Sequence, residues 1–324
     1  MKPPFSVIFL TTLIGVGQGL FLALFTGQVY AYFDLLPSQD SRNFYAFGSA
    51  LSLVFLSAGL VASFFHLGHP ERAWRSAAMW RTSWLSREVI VLPSFMAVVF
   101  LFGVTHWFNS QTPALELAGN HYIDITLLIG AVGTVLGFAL FICTGMIYAC
   151  LRFIQEWHSP LTLVNFTLMG AASGFLLTSI FAIFAAPDLV KFYGVWAIIL
   201  TVLSLVSRSA SLIRNAHIKP KSSLSTAIGI KHPNIVQISQ GAMGGSFNTR
   251  AFFHGKHVNF MRTIKPGFML MTFILPLLMM AVDLTSPLQL SITFIIQYTG
   301  LLAERWFFFA EANHPQNLYY QKIA

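Results

Sequence analysis

The chain has 324 residues, is 56% hydrophobic and only 9% charged, and carries a formal net charge of +8. Soluble domains average about 25% charged residues, so this chain has too few polar side chains to cover a water-soluble core. Its apolar residues fall in runs of about 20 or more, the length that crosses a bilayer. The positive charge lies between those runs, where the positive-inside rule accounts for it, and no nucleic-acid partner is expected.

The apolar runs predict an all-α, polytopic integral membrane bundle of eight transmembrane helices, the whole of 1–324 being one membrane domain. The spans are expected at 5–33, 44–65, Arg87 to Phe108, 124–150, 162–185, 189–212, 266–284 and 287–310. The first run is too long for the apolar part of a signal peptide and has no clear cleavage site, so it is read as a retained span. Pro37, Pro113, Pro160, Pro187, Pro266 and Pro287 fall at or near predicted helix ends, while Pro93 and Pro276 fall inside spans and predict kinks. One long polar connection, 213–265, contains QGAMGGSFNTR and shows no helical period. Lacking a following Lys-Ser or Lys-Thr, its glycines do not make a nucleotide loop. Its position suggests a docking surface.

Eight spans put both termini on one face, together with 17 of the 19 Lys and Arg residues; Arg42 and Lys191 fall opposite. That asymmetry predicts cytoplasmic termini in a bacterial inner membrane. Cys143 and Cys150 are seven apart on one predicted helix, roughly 10 Å, too far for a disulfide within the chain. No Cys/His cluster suggests a metal site, and no histidine pair at mid-span suggests bound haem. Charge-free mid-depths argue against a transporter.

Chemistry concentrates where the second and third spans meet the basic face. The stretch HLGHPERAWRSAAMWRTSWLSRE, residues 66–88, holds four Arg, three Trp, two His and two Glu. Two-electron, two-proton chemistry on a lipid-soluble quinone requires hydrogen-bond partners for the carbonyls and groups that hold and release protons; His and Glu do both. His66 and Glu88 are the leading candidates, with Arg72, Trp84 and Arg87 beside them and Glu304 and Arg305 interrupting the eighth span. Each has a structural alternative. His66 would serve as an interfacial cap, Glu88 would pair with Arg87 or Arg72, Arg305 would snorkel beside a neutralising Glu304, and the Trp and Arg residues would anchor to membrane lipid. Glu304 and Glu311, seven apart, share a helix face.

The pattern His66-Leu67-Gly68-His69-Pro70, then Arg72-Ala73, then Ser83-Trp84-Leu85-Ser86-Arg87-Glu88 resembles the membrane anchor subunit of dimethyl sulfoxide reductase. Cys143 to Tyr148, Ala303-Glu304-Arg305 and His314 to Tyr320 are more similar to the branch of that family that anchors cytoplasmic sulfite dehydrogenases. The resemblance implies an eight-helix anchor without haem, metal or catalytic residue of its own. It binds quinone, ubiquinone or menaquinone, and docks an Fe–S electron-transfer subunit and a molybdopterin catalytic subunit, which carry the Fe–S clusters and the molybdopterin. The family's functional His and Glu fall on His66 and Glu88. The implied function is electron exchange with the quinone pool during sulfite oxidation to sulfate. The alternatives are a complex of the dimethyl sulfoxide reductase kind that oxidises menaquinol, or a haem b-containing anchor.

Overall fold

A computed structural model describes residues 1–108, 113–117, 121–238 and 252–319; the QGAMGGSFNTR stretch and Lys322 lie outside them. Eight long helices among the described residues make the bundle: α1 Phe5–Tyr32, α2 Ser41–Phe64, α3 Trp84–Trp107, α4 Ile125–Ala149, α5 Pro160–Ala185, α6 Val190–Ala216, α7 Val258–Val282 and α8 Pro287–Glu311. The first seven are long and apolar enough to cross a membrane by length and composition. The eighth is 25 residues long and differs by carrying Glu304, Arg305 and Glu311 toward its end. Outside the helices, Pro113–Leu117 pairs antiparallel with His121–Asp124 in a hairpin between α3 and α4.

Local sequence explains most helix starts. Asp40 accepts from the backbone N–H of Asn43 (2.6 Å) and caps α2. Ser159-Pro160 and Ser286-Pro287 each place a capping hydroxyl before a proline at the first helical position, where its missing N–H costs nothing. Pro266 departs from its expected place at a helix start: α7 begins at Val258, so Pro266 lies inside it. A widened π-type turn over Leu270–Ile274 follows, just before Pro276. Such turns absorb the lost N–H of a proline. The long connection is also shorter than hydropathy suggests, because α6 extends to Ala216 and α7 starts at Val258. Those added turns carry Arg214, Asn215, Asn259, Arg262 and Lys265, so hydropathy ends before the helix does. Leu224–Ile228 adds one turn with a Ser223/Thr226 capping box and ends at Gly229 with φ +74°.

α1 is the central column, in contact with α2, α4, α5 and α8. In lipid, helices gain little from burying apolar surface and associate through close packing of small residues. Gly15 and Gly19 of α1 meet Gly170 and Gly174 of α5, each pair four residues apart. A Cβ on Gly174 would lie 2.2 Å from the Gly19 carbonyl carbon, and one on Gly19 2.3 Å from the Gly170 oxygen. Phe21, Phe95 and Phe102 fill the middle of the bundle with edge-on ring contacts at 5.4 and 5.3 Å. At the end of the bundle where α8 finishes, Trp157 donates to the Phe308 carbonyl (3.0 Å) and packs with Tyr148, Phe166 and Phe309.

Gly174→Leu is therefore expected to force α1 and α5 apart and destabilise the protein by about 1–3 kcal/mol or more. Gly267→Ala, with open space around it, is expected to be neutral. Thermal unfolding of the purified variants in detergent separates them; equal midpoints would contradict the close contact.

Candidate functional site

Ser83 caps α3 by accepting from the Ser86 N–H (3.4 Å), which fixes the first turn of that helix. Arg87, in the second turn, points back over the preceding loop. It donates to the carbonyls of Trp80 (2.9 Å) and Arg81 (2.8 Å), and its guanidinium lies 4.2 Å from the centre of the Trp84 ring. Glu88 is the next residue, turned about 100° around the helix, and enters the bundle with 8% exposure. It accepts a short hydrogen bond from Thr144 of α4. Neither Arg87 nor Arg72 pairs with it, so the structural alternative for Glu88 is replaced by a hydroxyl partner.

Glu88 and Thr144 border a cavity of about 10 Å³, room for a single water. Thr11, Thr12 and Gln18 of α1 and Arg305 of α8 line it as well. Arg305 is 3% exposed. It does not snorkel to the surface; its guanidinium lies 3.6 Å over the ring of Phe166. Glu304 is fully buried between two cations, with Arg208 Nε at 2.8 Å and Arg305 Nε at 3.4 Å. These are charge contacts, not aligned hydrogen bonds, because both Glu304 oxygens and Arg208 Nε lack a well-directed partner among the described residues.

His66 occupies different ground. It follows α2, its N–H bonded to the Ser63 carbonyl (3.4 Å), and it is exposed. Protein around the ring still lowers its pKa below the usual imidazole value by desolvation, which favours the neutral ring, one nitrogen donating and the other accepting. His66 does not line the Glu88 cavity. Phe65, Trp74, Trp80 and Leu85 of the same connecting stretch are all exposed. Arg72 is exposed too and meets Glu71 at 3.8 Å. Trp84 is half-buried beneath Arg87. The seven sequence-selected residues thus fall into a rim containing His66, Arg72, Trp84 and Arg87, and an interior containing Glu88, Glu304 and Arg305.

Sequence reading missed Thr144, Arg208 and Gln18. It also placed His106 at the outer side without a role. His106 is 4% exposed, with Ser41 Oγ 2.6 Å from Nδ1 and Gln28 Nε2 3.4 Å from Nε2. The signal for Arg208 was present: Arg208 and Asn215 are spaced by seven, as are Glu304 and Glu311.

A helical membrane bundle with a buried acid at one end and buried ion pairs behind it defines an integral membrane protein that carries polar chemistry at one face, and comparison with known proteins assigns its family. The chain belongs to the DMSO reductase anchor subunit (DmsC) family, whose profile matches residues 1–310. Among curated relatives it is similar to a sulfite dehydrogenase subunit from Allochromatium vinosum, 55% identical over 327 residues and covering 100% of both chains. Both matches agree with the resemblance read from the sequence.

The counter-ion role of Glu304 is directly testable. Glu304→Gln leaves two buried guanidiniums without a shared anion and is expected to cost about 3–5 kcal/mol. Arg208→Met leaves a neutral Glu304–Arg305 pair and is expected to cost clearly less. Unfolding midpoints in detergent rank the two; the reverse order would contradict the arrangement.

Proposed function

We propose that the protein anchors a molybdopterin/Fe–S oxidoreductase in a bacterial inner membrane and passes its electrons to quinone. The family gives the anchor role, and the similarity to a sulfite dehydrogenase subunit favours sulfite as the partner's substrate. The observation that carries the quinone assignment is Glu88: a carboxyl group buried at the inner end of the bundle, held by Thr144 and bordering a water-sized cavity. An ionisable group at such a depth is costly, and its presence there supports a functional role.

The cavity is too small for a quinone ring. The head group is therefore assigned to the rim, where Phe65, Trp74, Trp80 and Leu85 offer apolar surface and His66 a hydrogen bond. Sulfite and water give sulfate, two electrons and two protons at the catalytic partner. The electrons pass through the Fe–S partner, docked on the basic face formed by Arg72, Arg75 and Arg81, to quinone. Quinone takes up two protons and becomes quinol. Neutral His66 donates to one quinone oxygen, and Glu88 supplies protons from inside the bundle. Both termini and the basic face are assigned to the cytoplasm, so proton uptake and electron delivery share one side and the step moves no net charge across the membrane.

In the assembled complex, Glu88→Gln is expected to lower quinone-linked sulfite oxidation by roughly 10²–10⁴-fold, and His66→Ala to lower it too, while turnover with a soluble dye is unchanged. Normal quinone-linked rates in His66→Ala would remove His66 from the site. A reporter fused to the C-terminus should be active only in its cytoplasmic form; the opposite result would reverse the orientation.

A further inference from the structure

Helices α6 and α8 are joined by three polar pairs: Thr201 with Gln297 (3.2 Å), Arg208 with Glu304 (2.8 Å) and Asn215 with Glu311 (3.2 Å). Both members of each pair advance by seven residues, so the two helices run parallel and the pairs form rungs of one ladder. Seven residues rise roughly 10 Å, and the ladder covers roughly 20 Å from mid-depth to the inner end of the bundle. α8 packs on α1, α5 and α7, and reaches α6 through these long side chains.

Neutral hydrogen bonds would suffice to fix helix register. Here the two inner rungs carry carboxylates, and buried polar atoms along the seam remain without hydrogen-bond partners among the described residues: both Glu304 oxygens, Arg208 Nη2, Thr272 Oγ1 and Gln297 Oε1. Buried polar groups that protein does not satisfy are the seats of internal water. A second water-sized cavity, of about 10 Å³, borders the outermost rung and shares Met169 and Leu301 with the Glu88 cavity. Arg305 lines the Glu88 cavity, and its neighbour Glu304 is the middle rung.

We propose that the seam between α6 and α8 is a hydrated proton path linking the Glu88 cavity to the inner surface, with Glu311 at its mouth. The proposal rests on the quinone reading above and extends it. For each quinone reduced, two electrons arrive from the docked partner. Two protons enter at Glu311, pass along water beside Glu304 and replace those that Glu88 gives up. Arginine keeps its proton, so Arg208 and Arg305 position water and carboxylate and carry nothing themselves. Two guanidiniums alone would repel an excess proton; Glu304 between them offsets that barrier. At the mouth, Glu311 faces Arg208 and Asn215 of α6, Lys265 of α7 and Glu156 of the α4–α5 connection. The Met1 amino group donates to the carbonyls of Ala310 (3.3 Å) and Ala312 (2.9 Å) close by.

The test uses the assembled complex in liposomes with a soluble quinone. Glu311→Gln keeps an acceptor for Asn215 and cannot carry a proton. Its quinone-linked turnover should fall on the order of tenfold, recover when formate or azide is added as a diffusible proton carrier, and stay near wild type in Glu311→Asp. Dye-linked turnover should not change. Normal turnover in Glu311→Gln, or a loss that neither weak acid restores, overturns the path and leaves the ladder structural. A wild-type complex without quinone-linked turnover would instead overturn the quinone reading.

Discussion

Everything at the Glu88 end of this bundle depends on how charge survives away from water. A lone ion in such a setting costs several kcal/mol, and only a close counter-ion or hydrogen bonds make it tolerable. Glu304 meets that requirement for Arg208 and Arg305 at once. Phe166 adds its ring face under Arg305, and Thr144 serves Glu88. These partners come from α3, α4, α5, α6 and α8, so the charged groups hold five helices in one relative arrangement.

That arrangement requires a close scaffold. Glycines on α1 and α5 bring two backbones into contact, which lets the outer helices pack closely around them. Beyond the cavity, Phe21, Phe95 and Phe102 fill the bundle, each fully buried. They stand between the Glu88 end and the separate polar cluster of Gln28, Ser41, His106 and Thr126 at the other end of α3. That aromatic layer between the two polar ends is in keeping with the proposed one-sided chemistry, in which protons are taken up from the face where electrons arrive.

Rim and interior divide the work. In the proposed function, the exposed aromatics and arginines of the 65–88 stretch, with His66, are the surface for a lipid-borne head group and a docked protein. Glu88 lies a short way inside, buried against Thr144 and bordering a water-sized cavity. The separation explains why one cavity does not contain all the candidate residues: surface recognition needs exposure, and a held proton needs shelter.

Much of this was legible in the sequence because membrane insertion acts on composition over long windows. Runs of about 20 apolar residues specify spanning helices whatever their neighbours, and serine followed by proline marks helix starts at 159–160 and 286–287 through local hydrogen bonding alone. The 66–88 stretch likewise pointed to the end of the bundle where Glu88 is buried. Helix ends at Ala216 and Val258 were not legible, since polar turns continue a helix past its apolar run. Nor were the partners. Arg87 and Glu88 are adjacent in sequence, yet one staples a loop and the other enters the core, because successive side chains of a helix point in different directions. Which residue faces Glu88, and which two cations share Glu304, depend on how helices distant in sequence pack together, and that was settled only by the tertiary structure.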